Sequence, residues 1–81
     1  MMADNPFVIR KKIGRTIVEL RKTRGITQTQ ICEYSGLSQK YISDIENGKR
    51  NLGIDTIVML SNFFDISIGD FFLEVEHMEC K

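Results

Sequence analysis

Apolar residues recur along the chain at the three- and four-residue spacing of amphipathic helices. In the first stretch, Ile13, Ile17 and Leu20 stand at i, i+4 and i+7, and Gly25 ends the pattern. Two later stretches repeat the pattern. The positions predicted to face inward in the first of them are Ile54, Ile57, Leu60, Ser61 and Phe64. Those in the second are Ile68, Phe71, Phe72 and Val75. With two shorter patterns between them, these stretches predict an all-α fold.

The segment TQTQICEYSGLSQKYISDIENGKR, residues 27–50, contains the two shorter patterns on either side of a Ser-Gly-Leu corner. Thr27 and Gln30 have the spacing of a capping box, in which each side chain satisfies a backbone donor at the helix start. A helix is therefore predicted to begin near Gln28. Gly36 readily takes the left-handed conformation that ends a helix, so the turn is predicted there.

The second short helix is predicted to run from about residue 39 to about residue 47. Ser38 is suited to cap its first turn, and Leu37 is suited to fill the corner in front of it. Ile42 and Ile45 form its apolar face. The polar residues that point elsewhere are Gln39, Lys40, Ser43, Asp44 and Asn47.

The whole segment matches the pattern T-Q-x-x-[small]-x-x-x-G-L-S-x-x-Y-I-S-x-I-E-x-G-x-R, which resembles the Cro/repressor (XRE) helix-turn-helix family of bacterial and phage transcription regulators. Cys32 stands at the small position, where Ala is more usual, and Leu52 stands where many relatives carry Pro. A small apolar Cys and a buried Leu are both compatible with the fold. The resemblance covers about residues 9–73 and implies a compact five-helix, lambda-repressor-like domain.

The chain of 81 residues is therefore divided into three parts. Residues 1–8 are expected to be a flexible N-terminal tail, although Pro6 can open a helix. Residues 9–75 are expected to be the helix-turn-helix DNA-binding domain with a C-terminal dimerisation helix, and residues 76–81 a frayed tail. A domain of this size is near the limit at which one core suffices without disulfides or metals.

The zero net charge of the chain is unusual for a DNA-binding protein, because neutralisation of phosphates supplies much of the affinity. The charges are unevenly distributed, however. Residues 1–50 hold ten Lys or Arg and five acids, a net +5, whereas residues 51–81 hold one Lys and six acids, a net −5. Such a dipole would orient the protein on DNA. The alternative is a chance segregation of solvated charges.

In a helix-turn-helix, the N-terminal residues of the second helix reach base edges in the major groove, while the first helix crosses the backbone. Gln39 and Lys40 occupy these leading positions. Gln can bond to adenine N6 and N7, and Lys can donate to guanine O6 and N7. Ser43 and Tyr41 follow within reach, with Tyr41 directed to a phosphate or a thymine methyl group.

Gln28 is predicted to bind a phosphate, as a Gln at this position does in relatives, with the N–H groups of the helix start adding their attraction for anions. In the family, the Glu that corresponds to Glu46 tends to pair with an Arg of the first helix, for which Arg21 or Arg15 would serve. Three residues after the recognition helix are further candidates for phosphate contact: Asn47, Lys49 and Arg50.

The last helix is the predicted dimer contact. Phe71 and Phe72 are neighbours, about 100° apart around a helix, so both cannot point into one small core. One of the two, Phe71 or Phe72, is therefore expected to face outward and to form with Ile68 the apolar seam at which the family resemblance also places the dimer contact. The alternative is that residues 74–81 fold back over this seam. A homodimer would hold two recognition helices about 34 Å apart, one turn of DNA, on an inverted-repeat operator.

The sequence contains no recognisable catalytic or metal-binding constellation. His77 is the single histidine, and Cys32 and Cys80 are too far apart to indicate a disulfide framework or a zinc spacing. No Gly-rich phosphate loop or nucleophile–base pair is found. We therefore expect no enzyme activity, metal or cofactor. Without an apolar leader or a membrane-length run, we also expect no membrane association and a reducing cytoplasm.

These features lead to the hypothesis of a sequence-specific regulator of transcription that binds a palindromic operator as a homodimer. A phage-type repressor, a restriction-modification controller and a chromosomal or mobile-element regulator all remain open, and the run R-N-L-G-I after the motif resembles the controllers. The alternative from another class is an antitoxin or protein-interaction module. Its acidic C-terminal half would bind a small basic protein partner, and its helix-turn-helix would repress its own operon.

Overall fold

Five helices account for the regular structure of residues 5–79, the part of the chain that the computed structural model describes. The five helices are α1 (Pro6–Arg24), α2 (Gln28–Ser35), α3 (Gln39–Glu46), α4 (Ile54–Phe63) and α5 (Ile68–His77). α1 packs against α3 and α5, α2 against α3 and α4, and α4 against α5. The predicted all-α, five-helix fold is therefore confirmed.

α1 begins at Pro6, the earlier of the two starts predicted from the sequence. Asn5 caps the helix, because its side-chain oxygen accepts a hydrogen bond of 2.8 Å from the N–H of Phe7. Pro6 occupies the first turn, where its fixed φ suits a helix and its missing N–H has no partner to lose. Residues 6–8 are thus helical, and the prediction that they belong to a flexible tail is wrong. Residues 1–4 of that predicted tail lie outside the described residues.

α5 also extends beyond its predicted end. Its first turn is capped by Ser67, whose hydroxyl accepts a hydrogen bond of 3.0 Å from the N–H of Asp70. The helix continues through His77, and the N–H of Met78 donates to the carbonyl of Val75. Residues 76 and 77 are therefore helical and not frayed as predicted. The last two residues, 80 and 81, lie outside the described part.

The core is formed by one or more buried apolar residues from every helix. Its members are Ile13, Ile17, Ile31, Ile42, Ile45, Ile57, Leu60, Phe64, Phe71 and Val75. The predicted inward positions of α4 are correct except for Ile54, which is 66% exposed. Ile54 is the first residue of α4 and has exposed neighbours at Gly53 and Asp55, so the core does not reach it.

α1 and α3 approach each other most tightly at Gly14, a buried residue in the middle of α1. A Cβ at this position would lie 2.4 Å from the carbonyl oxygen of Glu46 and 2.5 Å from that of Ile45. Glycine normally weakens a helix interior, but here it lets the backbone of α3 touch α1. The role of this glycine depends on a contact between distant segments, so no local sequence pattern reveals it.

No single helix among residues 5–79 is both long and apolar enough to cross a membrane. α4 and α5 together meet the length and composition criteria, but they are bent by 94° relative to each other.

Replacement of Gly14 by Ala is expected to lower the free energy of unfolding by about 2 kcal/mol, because the backbones of α1 and α3 must separate to admit the methyl group. Urea unfolding followed by circular dichroism measures the change. Gly69→Ala is the matched control, since the nearest atom to its added Cβ is the Ser67 hydroxyl at 3.9 Å. The control should leave stability unchanged or raise it slightly. Equal effects of the two substitutions would contradict the assigned contact.

Candidate nucleic-acid interface

The turn between α2 and α3 is built by local capping interactions. The Thr27 hydroxyl accepts a hydrogen bond of 3.2 Å from the N–H of Gln30, and the Gln30 side-chain oxygen accepts one of 2.7 Å from the N–H of Thr27. This is the predicted capping box. Gly36 ends α2 with φ +77°, and its N–H donates to the carbonyl of Cys32 at 2.8 Å. Both predictions for α2 are confirmed.

α3 has one face in the core and the other toward solvent. Ser38 caps it by accepting a hydrogen bond of 3.1 Å from the N–H of Tyr41. Ile42 and Ile45 are buried, as predicted, and the half-buried Leu37 packs against the core at the corner. The opposite face of α3, together with the residues that follow the helix, therefore forms a continuous polar surface.

A buried ion pair fixes the C-terminal end of α3 to α1. The Arg21 guanidinium donates from Nε to Glu46 Oε2 at 2.6 Å and from Nη2 to Oε1 at 3.0 Å. The two side chains are only 16% and 6% exposed. Arg21 Nη1 also donates to the carbonyl of Ile26, which joins the α1–α2 connection to the same pair. Of the two predicted partners of Glu46, the structure selects Arg21.

Gln28 links this ion pair to the start of α3. Its amide nitrogen donates to Glu46 Oε1 at 2.8 Å, and its oxygen lies 3.5 Å from the amide nitrogen of Gln39. Gln28 was predicted to bind a phosphate through its side chain. Because Glu46 takes one of the two amide hydrogens, one hydrogen remains for an external acceptor.

Two predicted base-contacting residues lie fully at the surface of the first turn of α3. Gln39 is exposed, and its side chain contacts Gln28 alone among the described hydrogen bonds. Lys40 is also exposed, but its ammonium group lies 3.2 Å from Asp44 Oδ2 and 3.4 Å from Oδ1. The other two predicted residues, Tyr41 and Ser43, are half-buried. All four residues thus lie on one helix, but their side chains differ in exposure to solvent.

The predicted phosphate-contacting residues after α3 are all exposed. The Asn47 side chain donates to the carbonyl of Ser43 at 2.9 Å and so closes the end of the helix. The guanidinium carbon of Arg50 lies 4.7 Å from the centre of the Tyr41 ring, a cation–π distance. Lys49 contributes its backbone N–H to the carbonyl of Asp44 at 2.9 Å.

Asp44 is surrounded by cations. Besides Lys40, its carboxylate oxygen Oδ2 lies 3.5 Å from Nε of Arg50. The hydrogen bond from Lys40, together with the positive charges of Lys40, Arg50 and Lys49, holds the pKa of Asp44 below its ordinary value of 3.8, against a smaller opposing effect of burial. Asp44 is therefore ionised at neutral pH. No role was predicted for Asp44, although its spacing from Lys40 is that of a helical ion pair.

The three predicted dimer residues of α5 are in different environments. Phe71 is fully buried in the core of its own protomer, so its assignment to a dimer surface is wrong. Its packing is explained by its spacing of four from the buried Val75, which places both on the inner face of α5. Phe72 is half-buried and meets the Phe71 ring edge to face at 5.6 Å, and Ile68 is 38% exposed.

Among residues 5–79, no group of three or more His, Cys, Asp or Glu side chains is arranged to hold a metal ion. The polar surface of α3 and of the residues that follow it carries amide, hydroxyl, ammonium and guanidinium groups, and Asp44 is its central carboxylate.

Comparison with known proteins places this geometry in a family. Residues 17–71 match the family model described as Helix-turn-helix. An uncharacterised HTH-type transcriptional regulator, y4dJ, of Sinorhizobium fredii is 36% identical over 59 residues, which cover 73% of this chain and 77% of the relative. The competence pilus inhibition repressor of Acinetobacter baylyi is 36% identical over 67 residues, which cover 83% of this chain and 61% of that repressor.

The fold is also similar to that of a restriction-modification controller. The controller protein C.Esp1396I, solved as a tetramer in complex with its natural 35 base-pair operator, superposes with a TM-score of 0.75 at 29% identity. The superposition covers 84% of this chain and 90% of that chain. The resemblance of the sequence to the XRE family and to restriction-modification controllers is thus confirmed.

Replacement of Glu46 by Ala is expected to lower the free energy of unfolding by about 3 kcal/mol, the low end of the range for breaking a buried ion pair, because Arg21 keeps some access to water. Glu33→Ala, which removes an exposed acid from α2, is the control and should change stability by less than about 0.5 kcal/mol. Urea unfolding of both variants measures the difference. Similar stabilities would show that the pair is not a structural anchor.

Proposed function

The chain belongs to the helix-turn-helix family of transcription regulators, and we propose that it binds an inverted-repeat operator as a homodimer, with α3 in the major groove of each half-site. This proposal depends on the way in which α3 is held against the rest of the domain. Its inner face is buried and its C-terminal end is tied to α1 by the Arg21–Glu46 pair, while Gln39 and Lys40 project from its first turn. A major groove admits a helix that is presented in this way.

The proposed base contacts follow from the exposed groups at this end of α3. The amide of Gln39 can bond to adenine N6 and N7, and the ammonium of Lys40 can donate to guanine O6 and N7. The Gln39 amide nitrogen lies 3.5 Å from the Gln28 oxygen, a weak contact that it can exchange for a base. Tyr41 and Ser43, which are half-buried, contribute contacts at the edge of this surface.

The proposed phosphate contacts flank the reading helix. Lys49, Arg50 and Asn47 are exposed directly after α3, and the remaining amide hydrogen of Gln28 is available before it. The first 50 residues carry the net charge of +5, so the surfaces expected to face the duplex belong to the basic half of the chain. Contacts of this kind set position and register but carry no base information.

For the dimer we propose a contact centred on α5. Ile68 is an exposed apolar residue, and Phe72 stands one helical turn later on the same side of the helix. Phe71 is buried in the core and supports this surface by packing against the Phe72 ring. Assembly on DNA is recorded for C.Esp1396I, whose structure is that of a tetramer on its operator. The proposed regulator acts in the cytoplasm and has no enzymatic activity or cofactor.

Selection of bound sites from a pool of random DNA duplexes tests the proposal directly. The expected consensus is an inverted repeat whose half-site centres are about 10 base pairs apart, one turn of DNA. An enriched direct repeat or single half-site would overturn the proposed symmetry. Failure to enrich any sequence at low ionic strength would overturn the function itself.

Two single substitutions separate base reading from phosphate binding. Gln39→Ala is expected to weaken binding to the selected operator by about 1–3 kcal/mol and to relax the preference at one base position. Lys49→Ala should instead weaken binding to all duplexes alike and reduce the slope of log K against log salt by about 1. Fluorescence anisotropy over a salt series measures both. If both variants lost the same affinity on every sequence, the assigned roles would be incorrect.

Ile68→Glu tests the dimer contact, because two buried like charges at a two-fold interface disfavour association. The variant is expected to sediment as a monomer and to lose at least about tenfold in operator affinity as the two half-sites are no longer bound together. Val8→Glu is the matched control, since Val8 is 41% exposed and Ile68 38%. A dimer that survived in Ile68→Glu, or dissociated equally in the control, would place the interface elsewhere.

A further inference from the structure

Asp44 lies between the two cations that flank the reading surface of α3. Its carboxylate is 3.2 Å from the Lys40 ammonium and 3.5 Å from Arg50 Nε, although its own side chain is only 15% exposed. Its carbonyl also accepts the N–H of Lys49, which holds the segment after α3 against the helix. The Asp44 carboxylate therefore contacts both cations, and the Asp44 carbonyl binds the segment that carries Arg50.

We propose that Asp44 is an affinity-limiting residue, which keeps Lys40 and Arg50 paired within the free protein, so that each cation must give up this pairing before it contacts DNA. The proposal rests on the proposed function of α3. Its chemical basis is the origin of sequence-independent affinity, which comes from cations that neutralise phosphates and release counterions. A cation already neutralised by a carboxylate contributes less to this process, and the carboxylate itself is repelled by the phosphates.

On the operator, Lys40 gains an alternative partner of a different kind. The O6 and N7 atoms of a guanine are acceptors at fixed positions in the major groove. A contact with a phosphate has no such fixed geometry. The Lys40–Asp44 pair is thus exchanged for a base contact where the correct base is present. The energy of the broken pair is subtracted from that of the base contact, and on other duplexes the pair opposes a phosphate contact of Lys40 in the same way.

The geometry of the two ion pairs suits a reversible restraint. The Lys40 side chain is 81% exposed, so water screens its pairing with Asp44. The order of charges along the helix, with the cation on the N-terminal side, is also the weaker of the two i,i+4 arrangements. Arg50 has a second partner in the Tyr41 ring at 4.7 Å, which keeps the guanidinium close to α3 when the carboxylate is exchanged.

The experiment compares wild type, Asp44→Asn and Glu33→Gln on two probes, a duplex obtained by the selection described above and a scrambled duplex of the same length and base composition. Glu33→Gln removes the same charge from an exposed site on α2 that forms none of the ion pairs found among residues 5–79. Asp44→Asn is expected to tighten binding to the scrambled duplex about fivefold and to steepen its salt dependence by about 1. Affinity for the selected duplex should rise by at least the same factor, because the wild type must break the Lys40–Asp44 pair there as well.

A double-mutant cycle with Lys40→Gln distinguishes restraint of Lys40 by Asp44 from simple repulsion between the Asp44 carboxylate and the phosphates. If Asp44 restrains Lys40, then Lys40→Gln costs more affinity for the scrambled duplex in the Asp44→Asn background than in wild type. Equal costs in the two backgrounds, or equal gains from Asp44→Asn and Glu33→Gln, would overturn the proposal. Thermal unfolding of each variant confirms that the fold is retained.

The outcome also distinguishes this inference from the function on which it rests. A wild-type protein that prefers the selected duplex, with affinities that Asp44→Asn leaves unchanged, would overturn only the role of Asp44. A wild-type protein that binds the two duplexes equally would overturn the proposed function as well.

Discussion

The carboxylate of Glu46 is the point at which three helices of this protein are joined. It accepts two hydrogen bonds from Arg21 of α1 and one from Gln28 of α2, while it belongs itself to the last turn of α3. Because the Glu46 side chain is only 6% exposed, its charge would be costly without these partners. The direction of α3 relative to the first two helices is therefore restricted to the one in which all three bonds form. The same end of α3 lies against Gly14, where backbone touches backbone.

This anchoring determines what the rest of α3 can do. Apolar contacts of Ile42 and Ile45 bury the helix, but such contacts have little directional preference and tolerate small rotations. A bidentate pair between a guanidinium and a carboxylate has a defined geometry, so it fixes the rotation of the helix as well as its position. With its C-terminal end fixed in this way, α3 presents its first turn outward. The proposed base-contacting side chains are thereby carried by a helix whose other end is held by a bidentate ion pair.

Features set by neighbouring residues were predictable from the sequence, and features set by the packing of distant segments were not. The capping box of Thr27 and the turn at Gly36 follow from spacings of a few residues, and both occur as predicted. The family resemblance left the partner of Glu46 open between Arg21 and Arg15, because that choice depends on how α1 is rotated against α3. The choice between Phe71 and Phe72 depends in the same way on the rotation of α5, and the structure places Phe71 inside. The close contact at Gly14 required knowledge of which helix crosses α1 and where.

α3 contains two carboxylates, and their spacing gives them opposite environments. Asp44 and Glu46 are two residues apart, which is about 200° around a helix, so they lie on nearly opposite sides. Glu46 points toward α1 and α2, where water is excluded and its bonds are fixed. Asp44 points toward the polar surface, where Lys40 and Arg50 are screened by water and can exchange partners. An acid on the inner side of α3 thus determines where the helix lies, and an acid on the outer side determines how freely its cations interact. The difference arises from their partners, since the Arg21 side chain is 16% exposed, whereas those of Lys40 and Arg50 are 81% and 44% exposed.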